Sequence, residues 1–123
     1  NRVYPRRQLA GFYRVARVGL VTPLRDGMNL VAKEFVAAQN PEDPGVLVLS
    51  RFAGAAKDMT GALVVNPFDI VEMAEAIDRG LRMPLGERQE RWQDLMKALR
   101  RHDLAHWSES FLDSVSVRQA AAA

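Results

Sequence analysis

The sequence predicts an α/β fold with a parallel sheet of about three strands, flanking helices and further C-terminal helices. Three short apolar runs, at residues 18–22, 46–50 and 63–66, are rich in β-branched residues. Pro, Gly or Asp bounds each run, which is typical of buried parallel strands. Helical stretches separate the runs, and this order favours right-handed crossovers and therefore a parallel sheet.

The segments between the strands indicate helices with recognisable starts. The first helix is predicted at residues 5–16, with Pro5 at its first position, where a missing backbone N–H is tolerated. The second is predicted at residues 29–39. Asn29 suits its N-cap, because a short side-chain oxygen can accept a hydrogen bond from a first-turn amide. Asp26-Gly27 supplies the turn before it. Residues 40–45 indicate a loop, and residues 53–59 a short helical piece.

Three helices are predicted after the last strand. The first begins after an Asp69 N-cap and ends at Pro84, because proline cannot continue a helix. Its apolar positions are Ile70, Met73, Ala74, Ile77 and Leu81. The second, from residue 85 to about residue 102, presents Trp92, Leu95, Met96 and Leu99. The third carries Leu104, Trp107, Phe111 and Leu112.

The composition of the chain gives no reason to expect nucleic acid or a membrane as a partner. The chain has 123 residues, of which 48% are hydrophobic, and a net charge of +2, which gives no reason to expect nucleic acid. Glu87 and Arg91 form an i,i+4 pair in the arginine-rich helix, which indicates a solvated mixed-charge face rather than an RNA site. No cysteine is present, which fits a reducing compartment. No apolar run approaches the roughly 20 residues that span a bilayer.

We therefore expect a cytoplasmic protein without a membrane segment. The start at Asn1 has neither Met nor signal character, which suggests a piece of a longer chain.

The junction between the first strand and the second helix is the predicted functional site. The first amides of a helix have no partner inside it and carry partial positive charge, so this end suits phosphate. We expect the amides of Leu30, Val31 and Ala32 to be free. Asp26 and Glu34 flank the site and are best explained as hydrogen-bond acceptors for sugar hydroxyls, because a carboxylate repels a bound diphosphate. An ordinary turn before a solvated helix is the alternative.

Residues 18–34, VGLVTPLRDGMNLVAKE, closely resemble trehalose-6-phosphate synthases. The segments FVAAQ at 35–39, GVLVLSRFAGAA at 45–56, LVVNPFD at 63–69 and RHDLAHW at 101–107 resemble the same family in the same order. The resemblance implies a GT-B enzyme with two Rossmann-like domains, of which this chain is the C-terminal half of the donor-binding domain. Residues 1–115 are then a partial nucleotide-sugar-binding domain that includes a C-terminal crossover helix, and residues 116–123 a disordered tail.

The resemblance also implies the activity and the site. Such enzymes move glucose with retention from UDP-glucose to glucose 6-phosphate and make trehalose 6-phosphate. The implied substrate-binding residues are Tyr4, Asp26, Gly27, Met28, Asn29, Leu30, Val31, Ala32, Lys33 and Glu34.

The members of this set have different implied roles. The resemblance assigns the glucose hydroxyls to Asp26, with help from the backbone at 27–29. It assigns the diphosphate to the amides of Leu30 and Val31, and the ribose to Glu34. It places Tyr4 near the uracil, although the sequence around Tyr4 is less similar to the family. Lys33 is a further candidate for a phosphate contact, with water as the alternative.

The resemblance places other parts of the enzyme outside the chain. The Arg and Lys that neutralise the donor phosphates lie upstream of Asn1, the acceptor-phosphate ligands are missing, and so is the N-terminal domain. We expect the isolated chain to be inactive and to form a homo-oligomer through its open strand edges.

The expected chemistry needs no cofactor and no metal. A covalent intermediate would need a carboxylate nucleophile beside the anomeric carbon. Because Asp26 is expected to bind the glucose hydroxyls instead, attack on the anomeric carbon from the front face is the remaining route. His102 and His106 have the spacing of a zinc pair, but a third ligand is not evident. Two other readings remain: a non-catalytic sugar-nucleotide-binding or regulatory domain of the same fold, and an interaction module without nucleotide binding.

Overall fold

The computed structural model describes residues 5–25 and 29–106. In these ranges the chain forms α1 (Arg6–Val15), β1 (Val18–Val21), α2 (Leu30–Ala38), β2 (Val46–Ser50), a 3₁₀ turn (Gly54–Lys57), β3 (Leu63–Val65), α3 (Ile70–Arg82) and α4 (Leu85–His106). The predicted α/β fold is confirmed, and each strand ends within one residue of its predicted end.

The strands form one parallel sheet in the order β1-β2-β3. Val18 lies opposite Val46, and Leu49 lies opposite Val64. Because the strands are parallel, their carboxyl ends meet at one end of the sheet. The helices that follow β1 and β3 therefore begin at that same end.

Helices cover both faces of the sheet. On the face of α2 and α4 the buried core consists of Ala32, Phe35, Val36, Leu47, Leu49, Ala53, Met59, Ala62 and Leu95, with Trp92, Met96 and Leu99 packed against it. On the face of α3 it consists of Val46, Val48, Leu63, Val65, Ala76 and Met83. All of β2 is buried because it is covered from both sides.

A close contact between β1 and α2 fixes the position of the predicted site. A Cβ atom on Gly19 would lie 2.6 Å from Cε2 of Phe35, so the Phe35 ring fills the space that a side chain would need. The ring is buried and makes an edge contact with Tyr13 of α1 at a centroid distance of 6.2 Å. The strand glycine thus lets α2 lie directly on β1.

The other end of α2 is held by the buried side chain of Gln39. Its Nε2 donates to the carbonyls of Tyr13 at 2.7 Å and Phe35 at 2.9 Å, and its Oε1 accepts from the N–H of Gly45 at 2.8 Å. Three segments meet at this amide: the end of α1, the end of α2 and the residue before β2. Gln39 is 2% exposed, and its bonds with Phe35 and Gly45 are buried, while the bond to Tyr13 is partly buried.

The charged surface of α4 matches its prediction in one respect and departs from it in another. Nε of Arg91 donates to Glu87 at 2.9 Å, as the i,i+4 spacing predicted. Arg88, however, is buried and not solvated. It donates to the carbonyls of Met83 at 3.1 Å and Pro44 at 2.9 Å, because it lies where α4 meets the loop before β2.

The same guanidinium donates to Oδ1 of Asp43 at 2.6 Å, and Arg17 donates to the same oxygen at 3.1 Å. The hydrogen bonds from Arg88 and then Arg17 lower the pKa of Asp43 below its ordinary value of 3.8. The pKa of Glu87 is lowered chiefly by its hydrogen bond from Arg91.

Two expectations for the C-terminal helices are wrong. The predicted break between residues 102 and 104 is absent, and α4 continues to His106, because no Gly or Pro interrupts residues 87–106. The predicted apolar stripe of α3 is only partly buried, since Ile70 is 78% and Leu81 58% exposed. The side of α3 that faces the sheet carries Ala76 and Gly80 instead. Trp107, Phe111, Leu112 and the tail from residue 116 lie outside the described residues.

Candidate functional site

The candidate site lies where β1 ends and α2 begins. The strand ends at Val21, the chain continues through residues 22–25, and α2 starts at Leu30. Tyr4, Asp26, Gly27 and Met28, four of the predicted ligands, lie outside the described residues. The remaining six, residues 29–34, form the cap and the first turns of α2.

Asn29 is the N-cap of α2, as predicted. Its Oδ1 accepts a hydrogen bond from the N–H of Ala32 at 3.0 Å, and the residue is 4% exposed. Its φ is 48° and its ψ 70°, the left-handed region, and no other non-glycine residue in the described ranges has a positive φ. Asn tolerates this region better than most residues because its short side chain bonds locally.

A left-handed residue followed by a helical one turns successive amides toward the same side. Such an arrangement is an anion-binding concavity of the backbone. Leu30 and Val31 occupy the first and second positions of the helix, where amides have no intrahelical acceptor, and their side chains are about half exposed.

The expectation that the Ala32 amide is free is wrong. This N–H is the donor to Asn29, and Ala32 itself is completely buried. The cap therefore uses the Ala32 amide to fix the helix start, whereas the amides of Leu30 and Val31 have no acceptor inside the helix.

The charge at this helix start differs from that at α3. Asp69 caps α3 by accepting from the N–H of Glu72 at 3.0 Å, so α3 has an acidic cap and an acidic residue in its first turn. The α2 start has a neutral cap and no acidic residue in its first turn. The partial positive charge of α3 is therefore offset by its own side chains, whereas that of α2 is left for a ligand.

Lys33 and Glu34 lie in the next turn and are both half-buried. Glu34 is four residues after Leu30 and three after Val31, so it shares their face of the helix. Within residues 5–25 and 29–106, no residue forms an ion pair with the Glu34 carboxylate. A carboxylate on this face can accept two hydrogen bonds from a diol beside an anion bound at the helix start.

Sequence reasoning missed two residues that position this site. Gly19 allows the approach of α2 to β1, and Gln39 anchors the far end of the helix. The signal for Gly19 was present, because a glycine inside an apolar strand indicates close approach of another group. Gln39 gave no such signal, since a glutamine at a helix end is usually solvated.

The described residues contain neither a cluster of metal ligands nor a helix that could span a membrane. Across residues 5–25 and 29–106, no three His, Asp or Glu residues gather as metal ligands would. The side chains of His102 and His106 lie outside the description. Among the helices described, none has the length and apolar character to span a bilayer.

Comparison with known proteins gives consistent matches. Residues 1–117 match glycosyltransferase family 20. The chain is 62% identical over 116 residues to the trehalose-6-phosphate synthase of Sinorhizobium fredii, covering 94% of this chain and 25% of that protein.

Two solved structures are similar throughout most of the chain. One is a UDP-forming α,α-trehalose-phosphate synthase from Burkholderia xenovorans in complex with glucose-6-phosphate, with a TM-score of 0.83, 59% identity and coverage of 93% of this chain and 25% of that chain. The other is the Escherichia coli trehalose-6-phosphate structure bound with UDP-2-fluoro glucose, with a TM-score of 0.84, 54% identity and coverage of 93% and 25%. The chain spans about a quarter of the length of the proteins it matches.

Proposed function

The chain belongs to glycosyltransferase family 20, and from this premise we propose that it is the donor-binding part of a trehalose-6-phosphate synthase. The enzyme transfers glucose from UDP-glucose to glucose 6-phosphate with retention of configuration. This chain supplies the groups that hold the donor. Related structures contain a UDP-glucose analogue or glucose-6-phosphate, which supports this choice of substrates.

The start of α2 is the observation that carries the proposal. Its first two amides have no acceptor inside the helix, its cap is neutral, and its first turn has no carboxylate. The diphosphate of the donor binds the amides of Leu30 and Val31, where the helix dipole favours negative charge. The Ala32 amide keeps its bond to Asn29 and acts by holding the other two in place.

The sugar and nucleoside groups extend from this anchor. Glu34 accepts hydrogen bonds from the ribose hydroxyls, one turn along the same face as the diphosphate amides. Asp26, with backbone groups of residues 27–29, holds the glucose hydroxyls. Tyr4 lies beside the uracil, and Lys33 contributes to the phosphate contact.

Transfer then occurs on the face from which the diphosphate departs. The acceptor hydroxyl attacks the anomeric carbon as the bond from that carbon to the diphosphate oxygen breaks. The acceptor's proton passes to the leaving diphosphate, so charges and protons balance without a protein base. The amides at the start of α2 stabilise the negative charge that develops on the leaving group, and no metal is required for this step.

A charge placed in the first turn of α2 tests the proposal. Val31→Glu puts a carboxylate beside the diphosphate amides, and its matched control Val31→Gln has the same size without the charge. Both side chains fit, because Val31 is 49% exposed. These variants are made in an S. fredii synthase whose matching segment is replaced by this chain.

Val31→Glu should weaken UDP binding by about tenfold or more relative to Val31→Gln, because like charges meet at a short distance. It should not lower stability, since a carboxylate in the first turn favours the helix. Calorimetry measures UDP affinity, and formation of trehalose 6-phosphate measures turnover. Equal UDP affinity in the two variants contradicts donor binding at α2. Donor binding without turnover by the unsubstituted graft supports the non-catalytic alternative.

A further inference from the structure

A polar cleft lies at the opposite end of the sheet from the candidate site. It has a volume of about 300 Å³ and lies between the end of α1 and the loop that joins α2 to β2. Strands β1 and β2 begin here with the opposed pair Val18 and Val46, whereas α2 begins beyond the carboxyl end of β1. The cleft is therefore separate from the start of α2. Among its lining residues are Arg14, Val15, Arg17, Asn40, Asp43 and Gly45.

Close backbone contacts hold the two walls of this cleft together. A Cβ atom on Gly45 would lie 2.5 Å from the carbonyl oxygen of Ala16 and 2.9 Å from that of Arg17, so a residue with a side chain could not lie here. The carbonyl of Arg17 also accepts from the N–H of Val46 at 2.8 Å. The side chain of Gln39 joins the same two segments through its bonds to the end of α1 and to Gly45. The cleft is thus preformed, which reduces the cost of ordering it around a ligand.

The charged groups of the cleft favour an anion. Arg14 and Arg17 contribute two guanidiniums, and Asp43 contributes one carboxylate. This carboxylate accepts from Arg17 at 3.1 Å and from the buried Arg88 at 2.6 Å, so two guanidiniums already compensate its charge. The three arginines and the one carboxylate together carry a formal charge of +2. A cleft with this balance attracts negative charge even though a carboxylate lines it.

The two lining arginines keep donors for a ligand. Nη1 of Arg14 donates to the carbonyl of Ala38 at 3.4 Å, and Nη1 of Arg17 donates to Asp43. Because a guanidinium has five N–H donors, these bonds leave most of each group unused among the described residues. Both arginines are exposed, and Val15 between them is 82% exposed, so a ligand reaches them from solvent. Arginine suits phosphate in particular, because its planar donors match the phosphate oxygens.

We infer that this cleft is a second anion site, which binds inorganic phosphate or a small phosphate monoester. The phosphate oxygens accept hydrogen bonds from Arg14 and Arg17. Asn40 adds a neutral donor, because its Oδ1 accepts from the N–H of Glu42 at 3.1 Å and its NH₂ group can donate to the ligand. The bound anion links the end of α1 to the loop after α2. The inference is independent of the donor-binding role, since it uses no residue from the start of α2.

The test measures phosphate binding to the same graft in the S. fredii synthase. UDP and glucose 6-phosphate are first added at saturating concentrations, so that phosphate cannot enter the proposed donor and acceptor sites. Calorimetry then follows the binding of inorganic phosphate and, in a separate titration, of glycerol phosphate. Val15→Glu is compared with Val15→Gln, which has the same size without the charge. Arg14→Gln is compared with Arg7→Gln, which removes an exposed arginine of α1 that does not line the cleft.

Val15→Glu should weaken the binding of inorganic phosphate by about tenfold or more relative to Val15→Gln, because like charges meet at a short distance. Arg14→Gln should also weaken it by about tenfold, whereas Arg7→Gln leaves it unchanged. Glycerol phosphate that binds as well identifies the ligand class as monoesters, and phosphate that binds alone identifies it as the free ion; both results support the site.

Two results overturn the inference: an unsubstituted graft that binds no phosphate, and equal phosphate affinity in Val15→Glu and Val15→Gln. UDP affinity measured for each variant shows that the graft remains folded and reports the donor site separately. A graft that binds phosphate in this cleft but does not bind UDP contradicts the donor-binding role alone, because the Val15 pair still locates the phosphate.

Discussion

Replacing Asn29 tests how the start of α2 is held. The side chain provides one cap bond to Ala32 at 3.0 Å, and the backbone adopts a left-handed conformation that alanine disfavours. Losing the cap costs about 0.5 to 2 kcal/mol, and forcing alanine into the left-handed region costs roughly 1 to 2 kcal/mol. Because Asn29 is buried, water cannot readily replace the lost acceptor. Asn29→Ala should therefore destabilise the chain by about 1.5 to 4 kcal/mol.

Two controls separate the cap from the backbone. Asn29→Gly removes the same acceptor but accepts the positive φ, so its cost should be that of the cap alone, about 0.5 to 2 kcal/mol. Asp69→Ala removes a cap bond of the same 3.0 Å length from α3, where φ is −104° and the cap is exposed, and should cost about 1 kcal/mol. Only the alanine variant at Asn29 combines both penalties.

Urea unfolding of variants made in a Trp107→Phe background, followed by the fluorescence of Trp92, measures these differences. The Nε1 of Trp92 donates to the carbonyl of Val36 at 3.0 Å, so the indole reports directly on α2. If Asn29→Ala and Asp69→Ala destabilise the chain by the same amount, the left-handed backbone contributes nothing and the reasoning is refuted.

Further predictions concern the donor, the pH response and the isolated chain. Glu34→Ala should weaken UDP binding in the graft by about 1.5 to 3 kcal/mol, the range for hydrogen bonds to a charged group. An unchanged UDP affinity, measured by calorimetry, would show that Glu34 does not belong to the site. Asp26→Asn should reduce glucose transfer far more than UDP affinity, because its proposed partners are sugar hydroxyls; equal losses would leave it only a loop-shaping role. The pKa of Asp43 is lowered in the folded state, so its contribution to stability is present above pH 3.8 and is lost as the pH falls through the folded value. Asp43→Asn should remove this acid-dependent contribution, which urea titrations at successive pH values measure. An unaltered dependence of stability on pH would contradict this prediction. The 123-residue chain alone should form no trehalose 6-phosphate and should self-associate; a stable monomer at tens of micromolar in light scattering would contradict the second half.

The features that the sequence predicted well are those set by local chemistry. The β-branched runs define the strands almost to the residue, because a buried parallel strand has the same apolar requirement along its whole length. The caps Asn29 and Asp69 follow from short side-chain oxygens that reach amides three residues away.

The features that it predicted poorly depend on contacts between distant segments. The apolar spacing of α3 is real, but spacing cannot say which neighbour covers Ile70 and Leu81. The buried side of that helix is instead set by Gly80, whose small size allows it to meet Val18. For the same reason Arg88 was expected in water, although three acceptors from other segments draw its guanidinium inward.

The start of a helix at the candidate site was predicted correctly, but the expectation that all of its first three amides are free was wrong. A single sequence does not show which first-turn amide the cap will use, because the side chain of Asn29 can reach more than one. In the structure Oδ1 of Asn29 accepts from the amide three residues on, as Asp69 does at the start of α3 with an extended backbone.

The strand order β1-β2-β3 also has a consequence for how the molecule folds. Each strand pairs with the one made just before it, and the partners Val18 and Val46 are 28 residues apart and Val48 and Leu63 15 apart. The entropic cost of closing a loop rises only slowly with its length, so pairing each strand with its predecessor avoids the still longer closures of another strand order. A growing chain can thus add β2 to β1, and then β3 to β2, as each leaves the ribosome, without waiting for a later segment.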